Sequence, residues 1–205
     1  MSAPDIPEIV VRRLPLYLRA LRVMASEGRP VTSSRELGDR LHMSAAQIRK
    51  DLSHFGEFGT AGRGYDVEPL AEELERILNV DRAWPVALIG AGALGRAILH
   101  YEGLQERGFR IAAVFDRDLD KIGRHLGRLR IFDVAALPEL AGEMGLEIGI
   151  VAVPASAAQS VADALARSGI RAILNYTSAI LHVPDGVRVY DIDPVAGLQS
   201  LTYYL

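Results

Sequence analysis

Residues 88–98 read LIGAGALGRAI, the end of an apolar run followed by glycines at 90, 92 and 95 that open a helical pattern. In a G-x-G-x-x-G turn, Gly90 permits the sharp bend, Gly92 lets the backbone approach a pyrophosphate, and Gly95 lets helix and strand pack closely. Ala91, Ala93 and Leu94 complete the turn, and a helix starting near Ala93 offers free N–H groups to phosphates. Asp116 ends the next apolar run, FRIAAVFD, roughly 20 residues on, where a carboxylate holds the adenosine ribose hydroxyls. Its charge repels a 2′-phosphate and favours NAD over NADP, while the adjacent Arg117 weakens that preference. The three elements together predict a dinucleotide-binding β-α-β unit, with a long N-terminal stretch ahead of it to be explained.

Downstream, strand and helix patterns alternate. VALIG, FRIAAVFD, IGIVAVP (148–154), RAILNY (171–176) and VRVYDI read as strands; AGALGRAILHYEGL and ASAAQSVADALARSG read as helices. This is the signature of an α/β, doubly wound parallel sheet of Rossmann type. Val153 and Pro154, at the end of the 148–154 strand, join the candidate cofactor residues. In the terminal DPVAGLQSLTYYL, Asp193 can cap a helix, Pro194 fits its first position, and Leu198, Leu201 and Leu205 form an apolar stripe.

Upstream, Ile9–Ala25 carries a helical stripe through Leu14, Leu18, Leu21 and Met24, with Pro15 marking a kink or a helix start. After the breaker Gly28–Arg29–Pro30, Ser33/Glu36 and Ser44/Gln47 each have capping-box spacing. They predict two short helices joined by a three-residue turn, a helix-turn-helix. Gly56, Gly59, Gly62 and Gly64 then suggest a hairpin, and residues 68–78 return to helix. The second helix turns Ile48, Leu52 and Phe55 inward and leaves Ser44, Ala46, Gln47, Arg49, Lys50 and Ser53 outward. Gln can pair with adenine, and Arg or Lys with guanine, in a major groove. Arg63 at the hairpin tip suits an adjacent minor groove, while Asp51 opposes phosphate contact and is expected to pair with a neighbouring arginine. A winged helix-turn-helix and an ordinary helical bundle with solvated charges both fit this pattern. The expected division is residues 1–79 for the winged helix, 85–192 for the Rossmann domain and 193–205 for the terminal helix.

Charge agrees with a nucleic-acid-facing N-terminal part: residues 1–65 hold ten Lys/Arg against seven Asp/Glu, although the whole chain has a net charge of −3. The absence of cysteine excludes disulfides, thiolate zinc sites and cysteine nucleophiles. No metal site is expected. Neither a spanning apolar run nor a secretion signal is visible, and a cytoplasmic protein away from the membrane is expected. His42, His54, His100, His125 and His182 do not assemble an acid/base pair by spacing, so no catalytic residue is assigned. A small NAD-dependent oxidoreductase and a CoA- or nucleotide-binding module remain as alternatives.

The segment QIRKDLSHFGEFGTAGRGYDV (47–67) resembles the recognition helix and wing of the Rex redox-sensing transcriptional repressors. The resemblance continues through RLPLYLRAL (13–21), GAGALGRAILHYEGL (90–104), VPASAAQ (153–159), ILNYTSAILHVP (173–184) and IDPVAGLQSL (192–201), in one order over nearly the whole chain. It implies a homodimer that binds palindromic operator DNA and senses the NADH/NAD⁺ ratio, with NADH releasing the DNA. It further implies a C-terminal helix exchanged between subunits, DNA contacts by Gln47, Arg49 and Lys50, and Tyr101 near the nicotinamide. Arg19, Tyr101 and Asp193 would form a network linking subunits and domains. Two positions depart from the family: its wing arginine falls at Ala61, leaving Arg63 as the nearby basic residue, and Pro194 replaces a larger apolar side chain.

Overall fold

The computed structural model describes residues 6–60 and 62–205 and divides into two compact units between Arg82 and Ala83. The first contains α1 (Glu8–Ser26), β1 (Val31–Thr32), α2 (Ser34–Leu41), α3 (Ala45–Leu52), β2 (Tyr65–Asp66) and α4 (Val67–Ile77). Helix α1 runs through Pro15 rather than starting there. The proline removes one backbone donor, but Leu14, Tyr17, Leu21 and Met24 bury one continuous face across it. These side chains share a core with Leu37 of α2, Ile48 and Leu52 of α3, and Leu70 and Leu74 of α4.

Each capping box closes on one side only. Ser33 Oγ accepts from the Glu36 N–H and Ser44 Oγ from the Gln47 N–H, both at 3.1 Å. The returning side chains go elsewhere: Glu36 accepts from Thr32 Oγ1 and pairs with Arg29, and Gln47 donates to Asp51. Between α2 and α3 the chain reverses at His42, whose φ is 55°. In the glycine-rich stretch Thr60 bridges Gly64, and its outgoing strand β2 pairs antiparallel with β1. Ala61 lies outside the described residues.

The second unit is a seven-stranded sheet built from β3 (Trp84–Ile89), β4 (Phe109–Asp116), β5 (His125–Leu126), β6 (Leu129–Asp133), β7 (Ile148–Val151), β8 (Ala172–Asn175) and β9 (Arg188–Asp191). The strand order is β5-β6-β4-β3-β7-β8-β9, all parallel except the two-residue β5 at one margin. Helices α5 (Ala93–Leu99), α6 (Glu102–Gln105), α7 (Leu137–Met144) and α8 (Ala155–Arg167) connect the strands, and α9 (Pro194–Thr202) follows β9. Sequence patterning misses β5, β6 and α7. It also reads residues 93–104 as one helix, whereas the chain breaks at His100 and Tyr101 between α5 and α6. No described helix is long and apolar enough to cross a membrane.

Candidate functional site

The order of strand connections reverses between β3 and β7, which opens a crevice at their C-terminal ends. Two backbone bonds of 2.8 Å hold its rim, Gly90 N–H to Phe115 O and Ala152 N–H to Ile89 O. The three motif glycines meet different surroundings. Gly90 has φ +107°, and a Cβ there would stand 2.3 Å from the Ala152 carbonyl oxygen. A Cβ on Gly95 would come within 1.9 Å of the Gly90 oxygen, whereas one on Gly92 would meet nothing within 4 Å. The first and third glycines are therefore demanded by the fold, and the second borders open space. In α5 the first main-chain bond runs from Arg96 N–H to Gly92 O, so the N–H groups of its first turn, from Ala93 to Gly95, lack the partner that a longer helix would supply.

Asp116 is buried at the end of β4. Its Oδ2 accepts from the Ala91 N–H at 2.9 Å and from Lys121 Nζ at 3.1 Å, and its Oδ1 accepts from the Asp118 N–H at 3.0 Å. Burial pushes this carboxyl upward, but the two N–H groups and the ammonium outweigh it and hold the group below its ordinary range. An ionised carboxylate, paired with Lys121, therefore stands at the end of β4 on the wall of the crevice. The cleft has a volume of about 640 Å³ and brings together Gly90, Gly92, Asp116, Arg117, Val153 and Pro154.

Other candidates lie off this lining. Ala91 is buried and contributes its N–H to Asp116, Gly95 packs against the turn, and Ala93 and Leu94 are exposed at the start of α5. Tyr101 is exposed at the α5–α6 break, where a Cβ on Gly103 would touch its ring at 2.9 Å. Sequence reasoning missed Lys121, Val134, Ala157 and Val161 in the cleft. The usable signal for Lys121 was the carboxylate-rich run DRDLDK that begins at Asp116.

In the first unit, Ser44, Ala46, Arg49, Lys50 and Ser53 are exposed along α3, as expected. Gln47 corrects the reading: it is half-buried, because its Nε2 donates to Asp51 Oδ1 at 2.6 Å. Arg49 reaches Ser34 Oγ at 2.9 Å, and Arg63 pairs with Asp66 at 2.8 Å across the wing. A second cleft of about 520 Å³ separates α3 from the wing, lined by Ser34, Arg49, Ser53, Thr60, Arg63 and Tyr65 among others. The arginine expected beside Asp51 is Arg13, on another helix. Arg19 is exposed on α1 and makes no ion pair among the described residues. Asp193 caps α9 as expected, its Oδ1 accepting from the Val195 and Ala196 N–H groups at 2.9 and 3.1 Å.

Comparison with known proteins matches residues 5–53 to a family described as putative DNA-binding protein N-terminus and residues 81–179 to a CoA binding domain. The redox-sensing transcriptional repressor Rex of Chloroflexus aurantiacus is 55% identical over 206 residues, covering 100% of this chain and 97% of its own length. Among solved structures, RSP in complex with β-NAD⁺ and operator DNA superposes with a TM-score of 0.91 at 36% identity, over 97% of this chain and 92% of that one. RSP in complex with β-NADH gives 0.87 at 34% identity, over 98% and 94%. The curated relatives that span the chain are named transcriptional repressors, among them that of Chloroflexus aggregans at 54% identity over 97% of this chain and 94% of its own length. The chain therefore belongs to the Rex family of redox-sensing transcriptional repressors.

Proposed function

We propose that this protein is a homodimeric cytoplasmic repressor that binds palindromic operator DNA through residues 1–79, holds NADH or NAD⁺ in residues 85–192, and leaves the operator when NADH is bound. The observation that carries the reading is the presence, in one chain, of a buried carboxylate beside a glycine turn at a Rossmann switch point and a capped helix-turn-helix. RSP, whose structures contain NAD⁺ with operator DNA and NADH separately, supports the same pairing of ligands.

The cofactor turn is assigned to residues 90–95, the ribose to Asp116 and Arg117, and the neighbouring wall to Val153 and Pro154. Ser44, Ala46, Arg49, Lys50 and Ser53 face the major groove, with Gln47 behind them, and Arg63 meets the minor groove. Helix α9 has no buried residue, and Val195, Leu198 and Leu201 are 59%, 63% and 60% exposed. A second copy supplies the cover for this stripe. Asp193 spends Oδ1 on the cap, and Oδ2 is available to the Arg19 and Tyr101 network.

The oxidised nicotinamide carries a positive charge that the reduced ring lacks. An apolar enclosure completed by Tyr101 and the partner subunit penalises a buried unpaired charge and so favours the closed state with the neutral ring. Moving a population from 1:99 to 99:1 requires about 5.5 kcal/mol, or roughly 2.7 kcal/mol per site in a dimer. Recognition helices in a symmetric dimer must meet major grooves about 34 Å apart, so a small rearrangement removes both half-sites.

The test is fluorescence anisotropy of the operator duplex crystallised with RSP, at fixed salt, with NADH, NAD⁺ or CoA added. Loss of binding with NADH alone is expected. CoA is expected to have no effect, since its ribose phosphate would meet the Asp116 carboxylate. Binding indifferent to both nicotinamide cofactors would overturn the sensing role, and no binding at all would overturn the DNA-reading role.

A further inference from the structure

Asp51 is the one buried carboxylate among the described residues of the N-terminal unit, and neither a cap nor a cleft accounts for it. Its side chain is 1% exposed and accepts four hydrogen bonds. Arg13 donates from Nε to Oδ2 at 2.6 Å and from Nη2 to Oδ1 at 2.8 Å. The Tyr17 hydroxyl donates to Oδ2 at 2.5 Å, and Gln47 Nε2 to Oδ1 at 2.6 Å. Arg13 and Tyr17 stand one turn apart on α1, and Gln47 and Asp51 one turn apart on α3. The four side chains thus form a plate two residues wide on each helix.

The apolar residues that α3 buries, Ile48 and Leu52, hold it at a fixed depth. Apolar contact is non-directional and leaves the rotation of so short a helix weakly determined. A forked guanidinium on a carboxylate, joined by a phenol, is strongly directional. Side-chain ends lie about 5–6 Å from a helix axis, so a rotation of ~20° shifts them by about 2 Å. A shift of that size breaks a hydrogen bond to a base edge, while a flexible lysine or arginine can still follow a phosphate.

We infer that Asp51, clamped by Arg13, Tyr17 and Gln47, is a positioning residue that sets the rotation of the recognition helix and thereby its sequence discrimination. The inference rests on the DNA-reading role proposed above. It turns Gln47 from a base reader into an arm of the clamp, and leaves direct readout to Ala46, Arg49, Lys50 and Ser53.

Tyr17 is the informative residue to change, because at 1% exposure it cannot touch DNA itself. Tyr17→Phe keeps the ring and deletes one donor. Operator affinity is measured against a scrambled duplex of equal length over a salt series, with thermal melting and an active-fraction titration as controls. The expected result is an about tenfold fall in the operator-to-scrambled ratio, the size of one weakened base contact, with the salt slope and scrambled-duplex affinity unchanged. Arg13→Lys, which keeps the charge and loses the fork, should act in the same direction. A Tyr17→Phe protein that is fully active and discriminates within twofold of wild type overturns the inference while leaving the proposed function intact. A wild type that binds the two duplexes equally overturns both.

Discussion

At the scale of single residues, the three cleft glycines separate folding from binding. Gly95 has the Gly90 carbonyl where a methyl would go, so Gly95→Ala must push α5 away from β3 and is expected to lower both the melting temperature and NADH affinity. Gly92 has free space around it, so Gly92→Ala should melt like wild type yet lose at least about tenfold in NADH affinity, because the methyl occupies the diphosphate's path. Fluorescence titration of NADH beside a thermal melt checks both; equal melting losses would show that Gly92 is structural as well. The spacing of these glycines and of Asp116 was legible because a turn and one strand fix their geometry locally. Lys121 was not, since it reaches Asp116 only after the chain folds back, its N–H bonding to the Asp118 carbonyl at 2.9 Å. Gln47 was misread for a related reason. Its partner Asp51 lies one turn away in sequence, but the arginine that draws both inward comes from α1.

At the scale of elements, the tie between α1 and α3 has a definite pH dependence. Burial pushes the Asp51 carboxyl up, but the hydrogen bonds from Arg13, Tyr17 and Gln47 prevail and hold it below its ordinary value. Burial likewise raises the Tyr17 phenol, beside that carboxylate, so it stays protonated at neutral pH. A depressed carboxyl stabilises the fold above the unfolded pKa of about 3.9, and the contribution disappears as pH falls through the lower folded value. Unfolding stability of the N-terminal unit should therefore be unaffected by Asp51 from about pH 7 to pH 5 and should fall steeply below about pH 4. Asp51→Asn should be less stable near neutrality and show a shallower acid limb; an identical limb in the variant would remove Asp51 from the account. Urea titrations across pH make the comparison. The helices whose caps and apolar stripes coincide were readable in advance, as α2 and α3 show. Residues 117–147 were not, because two-residue β5 carries no period and α7 buries only Leu137 and Ala141. The break before α6 also escaped, since no proline marks it.

At the scale of the whole molecule, the charge excess in residues 1–65 fits the nucleic-acid partner of the proposed function, and the exposed apolar stripe of α9 fits its second copy. Truncation after Ile192 should convert a dimer into a monomer in sedimentation velocity and abolish high-affinity binding to a two-half-site duplex, while a single half-site is bound equally by both forms. A truncated chain that still sediments as a dimer would place the main interface elsewhere. The architecture was readable from strand and helix alternation, yet the uncovered state of α9 required the fold itself, because a leucine stripe alone does not say what it packs against. The short β5 hairpin at the sheet margin carries a further consequence. Arginines 124, 128 and 130 surround it, and the opposite margin, β9, begins at Arg188 and ends at Asp191. Neither border offers a long neutral strand on which another chain could grow, so the proposed pairing of two copies through α9 would not run on into polymers through the sheet.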